Sequence, residues 1–337
     1  MILQFRFIWI IKCPFVYYVR LKGVLMHNKK TKRGLLLPGG GTKGAFQAGA
    51  LKYIDKELGR KYDAVSGFSI GALNAIGIVQ QDFDVVLDLW ENAKSISDFF
   101  GGNILFYKGL MSMKPLRKQI EQRMNIDKLR ESPIDFIFST VDLQKGVLVE
   151  KDKFASPLVD WLLASCSIPG AFEPVEIDGH QFVDGGVLAT QPLAPLVRLG
   201  VDEIDVVATR PLTNLRAKEK PETIIETAQR CLELIQSEMV NIDIDRCRSI
   251  NEIVSKWGTM KGKGNIVEGI LFHFAEKSED FPLREYRHIE ITLVEPQEDF
   301  IDILEFDQEK IKKTMEAGYS EAKAVFEKKA REAEKKA

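Results

Sequence analysis

The sequence is poor in histidine and in organised cysteine. Four histidines, His27, His180, His273 and His288, are spread over 337 residues. His27 lies in the N-terminal stretch, His180 near a hairpin turn, His273 on a helix face and His288 on an alternating strand; each reads as structural. The four cysteines, Cys13, Cys166, Cys231 and Cys247, form no C-x-x-C pair. That pattern argues against a disulfide framework or a zinc site and fits a reducing, cytoplasmic compartment. No N-x-S/T sequon is present, which agrees. No internal repeat or low-complexity linker divides the chain.

Long apolar runs are missing too. The stretch "FIWIIKCPFVYYV" is broken by Lys12 and Pro14, short of the roughly 20 apolar residues a membrane span needs. It also lacks the uninterrupted core and small-residue cleavage site of a secretory signal. Residues 1–32 therefore read as a basic and apolar N-terminal extension, and three readings stay open. They are a leader ahead of Met26, a peripheral membrane anchor with cations facing headgroups, or a packed extension. Residues 1–33 hold eight Lys or Arg and no acid, leaving 39 basic against 49 acidic residues in the remainder. A body of net charge −10 argues against nucleic acid as the main partner.

What is present is an alternation of strand and helix signals. "RGLLLP" is a buried strand ending in glycines, and "TKGAFQAGALKYIDKELG" carries helical spacing up to Gly59. "YDAVSGFS" is a second strand and "IGALNAIGIVQQ" a buried helix. "IDFIFSTVDL" and "KGVLVEKD" read as paired strands, "FEPVEIDGHQFVDGG" as a hairpin turning at Asp178-Gly179, and "DEIDVVATRP" as a further strand. After residue 210 the pattern is mostly helical, with one late strand near 286–294 and a solvated helix from Gln308. The alternation predicts an α/β fold, a three-layer α/β/α sandwich with a mainly parallel central sheet. Residues 33–210 are its core, and residues 211–337 complete the same domain.

Three motifs carry chemistry. "GGGTKG" places Gly39, Gly41 and Gly44 in G-x-G-x-x-G between a strand and a helix. A dinucleotide turn would need an acid at the end of the next strand, about 20 residues on; that strand ends in "SGFSIG" instead, so no nucleotide is expected. A glycine turn backed by a helix N-terminus can instead aim N–H groups at a developing oxyanion. Lys43 would add charge nearby or sit in solvent. The second motif, "GFSIG", holds Ser69 between Gly67 and Gly71 at a strand-to-helix turn. The pattern fits a nucleophile elbow; the bland reading is a serine N-cap. Ser69 lies 28 residues after Gly41, an interval that a helix and a return strand fill. Both loops then share the carboxyl edge of one sheet, where ligands bind in parallel sheets. That coincidence favours the nucleophile. The third motif is Asp184-Gly185-Gly186, leaving a partly apolar strand; the glycines would let another loop approach closely.

Taken together and in this order, the motifs resemble the patatin-like phospholipases. "GGGTKGAFQAGAL", "STVDLQKG" and "ASCSIPGAFEPVEIDGHQFVDGG" extend the likeness over residues 33–210, most weakly over 96–132. The resemblance implies a histidine-free Ser-Asp dyad, with Ser69 as nucleophile and Asp184 as base. It also implies an oxyanion hole around Gly39, Gly40 and Gly41, with Thr42. Fatty-acyl esters of phospholipids or lysophospholipids would be cleaved at a membrane or micelle surface, with no cofactor. Lys43 stands where many members have Arg, so any bidentate role is lost. Pro38 replaces a commonly small or polar residue. Neither departure touches the dyad.

Rival readings are an α/β-hydrolase triad recruiting His273 or His288, an acyltransferase on the same scaffold, and a non-catalytic lipid-binding module. The aromatic stretch 99–113, with glycines at 101, 102 and 109, reads equally as a lid or as core beneath a loop.

Overall fold

The computed structural model describes residues 31–101, 111–212, 220–222, 224–263 and 287–335. The chain falls into two compact units: residues 30–252 with 288–337, and residues 1–29 with 253–287. The described residues lie almost wholly in the first. Most of the 99–113 stretch and all of the N-terminal extension before residue 31 lie outside them, as does His273.

Eight strands form one sheet: β1 (Arg33–Leu37), β2 (Ala64–Phe68), β3 (Asp135–Asp142), β4 (Val147–Asp152), β5 (Val175–Ile177), β6 (His180–Asp184), β7 (Glu203–Val207) and β8 (Glu290–Val294). The path runs β5-β6-β3-β2-β1-β7-β8, with β4 paired to β3. The β3–β2, β2–β1, β1–β7 and β7–β8 pairings are parallel, while β4, β6 and β5 join antiparallel. The late strand thus belongs to the same sheet as the core.

Helices cover both faces, as the alternation on β1 requires. Leu35 and Leu37 enter one apolar core with Val65 and Phe138, and Leu36 enters another with Ile204 and Val206. On the first face lie α1 (Gly44–Lys52), α2 (Ile70–Val79), α3 (Asp84–Glu91), α4 (Lys114–Arg123) and α6 (Leu158–Ser165). The short α5 (Ile126–Glu131) leads into β3. On the second face α7 (Ala194–Arg198) contributes Leu196, and α8 (Ile224–Lys263) contributes Val240 and Ile244. Among the described residues no helix is long and apolar enough to cross a membrane.

The terminal helix α9 (Gln308–Glu334) differs from the solvated helix expected. It buries Ile311, Met315, Gly318, Ala322 and Phe326, a stripe at helical spacing. Its Ala, Glu and Lys content hid that stripe, which joins the first core. Asp178 (φ 53°) and Gly179 (φ 78°) make the turn between β5 and β6, the left-handed pair of a two-residue hairpin.

Toward the amino ends of the strands, Asp205 is buried in β7. Arg60 donates to both of its oxygens and Tyr62 donates at 2.8 Å. Arg60 also reaches Glu203 at 2.8 Å. Removing one partner of such a buried pair leaves an uncompensated charge, so Asp205→Ala is predicted to lower stability by about 3–5 kcal/mol in urea unfolding.

Candidate active site

Strand β3 has eight residues and two edges. On one edge β4 pairs with Ile137 to Asp142. On the other, β2 pairs with Asp135 to Ser139, where Phe68 is the last partner. The antiparallel β6 pairs with the remaining Thr140, Val141 and Asp142, placing Asp184 opposite Thr140. The end of β6 therefore faces the end of β2 along one edge. Ser69 follows directly after Phe68, so the elbow and the aspartate meet there.

Ser69 has φ 56° and ψ −137°, a left-side conformation that β-carbon residues rarely hold. Such strain costs about 1–3 kcal/mol and persists where the surroundings enforce it. Gly71, the second residue of α2, lies so close to β1 that a Cβ there would fall 1.9 Å from the Leu37 carbonyl. The Ser69 N–H donates to Ser165 Oγ at 3.0 Å, and that hydroxyl donates onward to the Ser139 carbonyl at 2.7 Å. The Ser69 side chain makes no capping bond to α2. The side-chain N-cap reading therefore fails, and Oγ is not spent on the helix. Gly67 precedes the turn as the elbow pattern requires.

Asp184 is 2% exposed. Its N–H donates to the Ser167 carbonyl at 2.9 Å and its Oδ1 accepts the Gly186 N–H at 2.7 Å. Its Oδ2 is buried without a hydrogen-bond partner. Burial pushes the carboxyl up from the ordinary 3.8 to about 6, against the opposing pull of the Ser69 hydroxyl, the Gly186 N–H and the Arg210 charge. The Ser69 hydroxyl is thus near the carboxyl without being aligned on Oδ2, a looseness common before substrate binds.

Gly39 packs against Ser69: a Cβ built on it would fall 2.9 Å from Ser69 Cβ. The Gly39 carbonyl accepts Thr209 Oγ1 at 2.6 Å and an Arg210 nitrogen at 3.4 Å. In a trans peptide the N–H points opposite to the carbonyl, so the Gly40 N–H is turned away from Thr209. The Gly40 carbonyl accepts the Lys43 N–H at 3.2 Å, which turns the Gly41 N–H the other way as well. Gly40 and Gly41 line one cleft with Ser69 and Asp184. Ile168, Pro169, Val187, Leu232 and Ile303 make its apolar wall.

Two expectations change. Thr42 is not a free oxyanion donor, because its N–H and its hydroxyl both bond the Ile303 carbonyl, at 2.8 and 2.9 Å. Lys43 is neither a charge in the cleft nor a solvated one. It is 2% exposed and its Nζ reaches Glu233 at 2.9 Å and Asp299 at 2.7 Å. It clamps the glycine turn to α8 and to the segment after β8; Gly44 opens α1, and Gly185 follows the aspartate. Thr209 and Arg210, at the end of the core stretch, and Glu233, Gln236, Asp299 and Ile303, from the C-terminal part, carry no motif. Ser165 is likewise without a sequence signal.

No described histidine lines the cleft. His180 pairs with Asp142 at 3.0 Å and stands four strand residues from Asp184, about 13 Å along β6. His288 is exposed just before β8, at the amino edge of a sheet whose carboxyl edge holds Ser69. Among the described residues no group of three or more His, Cys, Asp or Glu converges as a metal site.

The patatin-like phospholipase family model matches residues 35–197, just under half of the chain. The lysophospholipase nte1 of Aspergillus terreus is 26% identical over 183 residues, which cover 52% of this chain and 12% of that protein. An uncharacterized NTE family protein of Mycobacterium bovis is 23% identical over 220 residues, 64% of this chain and 59% of that protein. The chain therefore spans less than two thirds of the length of either relative. The crystal structure of VipD from Legionella pneumophila overlays with a TM-score of 0.46 at 12% identity, over 89% of this chain and 67% of that one, too distant to argue from.

The buried carboxyl generates a stability prediction. Because the native Asp184 holds its proton more tightly than the unfolded chain does, wild type gains stability as pH falls through about 6, and the gain is complete below the ordinary 3.8. Asp184→Asn lacks this dependence. Its stability advantage over wild type in urea unfolding should widen by about 2.5 kcal/mol between pH 4 and pH 7.5. A gap constant with pH would contradict the burial argument.

Proposed function

We propose that the protein hydrolyses fatty-acyl ester bonds of phospholipids or lysophospholipids at a lipid surface, through a Ser69–Asp184 dyad and an acyl-enzyme. The observation that supports this reading is one cleft shared by a strained serine that caps no helix, a buried carboxyl raised to about 6, and the Gly40 and Gly41 N–H groups.

The chemistry follows from that arrangement. Ser69 Oγ attacks the ester carbonyl carbon while its proton passes to Asp184. The carbonyl electrons move to oxygen, toward the N–H groups of Gly40 and Gly41. When the tetrahedral species collapses, the leaving alkoxide takes the proton from Asp184 and the acyl group stays on Ser69. Water then repeats the sequence, with Asp184 as base, and releases the fatty acid. A carboxylate at the ordinary value is a weak base for an alcohol; raising it to about 6 narrows that gap while leaving it ionised at neutral pH. The apolar wall of Ile168, Val187, Leu232 and Ile303 suits an acyl chain. The substrate class is carried by the matched family and by the lysophospholipase name of the fungal relative.

Fatty acid release from a panel of phospholipids and lysophospholipids tests the proposal. Wild type should release fatty acid and Ser69→Ala should not. Asp184→Asn should fall by at least about 10²-fold, while His180→Gln, His273→Gln and His288→Gln each keep most of the activity. An inactive His273→Gln beside an active Asp184→Asn would replace the dyad with a triad.

A further inference from the structure

Gln236 stands on α8, outside the residues matched by the family model. It lines the cleft with Ser69, Asp184, Gly40 and Gly41. Its carbonyl oxygen accepts a bond from the buried Arg210 at 3.2 Å. The same guanidinium donates to the Glu233 carbonyl at 2.9 Å and to the Gly39 carbonyl at 3.4 Å, which fixes its position. A guanidinium has only donors, so the atom facing it must be the amide oxygen, and this sets which way the amide points. The amide nitrogen therefore faces the other way. There it packs on Gly186, where a Cβ would fall 2.2 Å from Nε2. The N–H of Gly186 is the group that holds Asp184 Oδ1. Nε2 itself donates to no described residue. Helix α8 thus delivers an oriented, unused N–H donor beside the base and the nucleophile, and the second glycine after Asp184 makes room for it.

We propose that Gln236 is a third donor to the oxygen of the reacting ester, working with the N–H groups of Gly40 and Gly41. The inference rests on the ester hydrolysis proposed above. As Ser69 Oγ bonds the carbonyl carbon and its proton moves to Asp184, the electron pair on the carbonyl oxygen is met by the Gln236 amide as well as by the backbone. On collapse the pair returns to the carbonyl and the donors relax. Arg210 is then a positioning residue. One guanidinium holds the Gly39 carbonyl and the Gln236 oxygen, so it sets a backbone donor and a side-chain donor together.

The competing role is a strut that merely ties α8 to Arg210, which needs the amide oxygen and the side-chain bulk but not the N–H. Two variants separate the roles on soluble p-nitrophenyl butyrate. Gln236→Glu keeps an oxygen for Arg210 and removes the N–H; Gln236→Met keeps the bulk without either. Both should lose roughly 10²-fold in kcat, with KM within about twofold of wild type, as expected for an interaction made only in the transition state. The Glu variant should also keep or raise the thermal midpoint. Wild-type kcat in either variant, with or without a higher KM, overturns the proposal. Ser69→Ala measured alongside keeps the two claims apart. If it stays active, the dyad reading fails; if it is dead while the Gln236 variants keep wild-type kcat, only the third donor fails.

Discussion

The cleft depends on strand β3 outlasting strand β2. Five residues of β3 pair with β2, and the last three are taken over on the same edge by the antiparallel β6. A strand edge has one row of hydrogen-bonding groups, so β2 and β6 must abut end to end. Their terminal residues then face each other: β6 ends on Asp184, and β2 continues directly into the turn that holds Ser69. A shift of one residue in the β3–β6 register would send the Asp184 side chain to the opposite face of the sheet. Sequence separation is irrelevant to this closeness; register is what sets it.

Burial then does the electrostatic work. Closing the cleft with Leu232, Gln236 and Ile303 removes water from Asp184 and raises its proton affinity. The same closure strengthens any hydrogen bond offered to a developing oxyanion, because the local dielectric is low. These effects need rigid partners, which the residues just after β7 and the C-terminal part supply. Thr209 and Arg210 hold the Gly39 carbonyl, Ile303 holds Thr42, and the pairing of Lys43 with Glu233 and Asp299 anchors the turn from behind. A buried cation flanked by two carboxylates is costly to break, so the glycine turn is held in one arrangement.

Much of this is legible in the sequence. Glycine-rich turns and a G-x-S-x-G elbow are local devices, and local spacing reveals them. The strand-helix alternation indicates the sheet, and its glycine ends indicate the functional edge. The supporting shell is not legible because it is built from non-local contacts. Ser165, Arg210 and Gln236 sit 96, 141 and 167 residues after Ser69 and belong to no spacing. Arg210 offers a faint signal, since it follows a buried strand in "VVATRP". Thr42 and Lys43 are misplaced by sequence reasoning for the same reason: their partners, Ile303, Glu233 and Asp299, lie more than 180 residues away. The inner stripe of α9 is legible in principle at spacings of three and four, but its charged composition masks it.

The claim at the centre is that a carboxyl, made basic by burial, takes the Ser69 proton directly. The rate at which a fluorophosphonate modifies the protein, followed from pH 4 to 9 with the site located by peptide mass, reports on that proton transfer. The account predicts a label on Ser69 whose rate climbs about tenfold per pH unit below about 6 and is flat above it. A label on another residue, or a rate on Ser69 that does not change between pH 4 and 7, would contradict it.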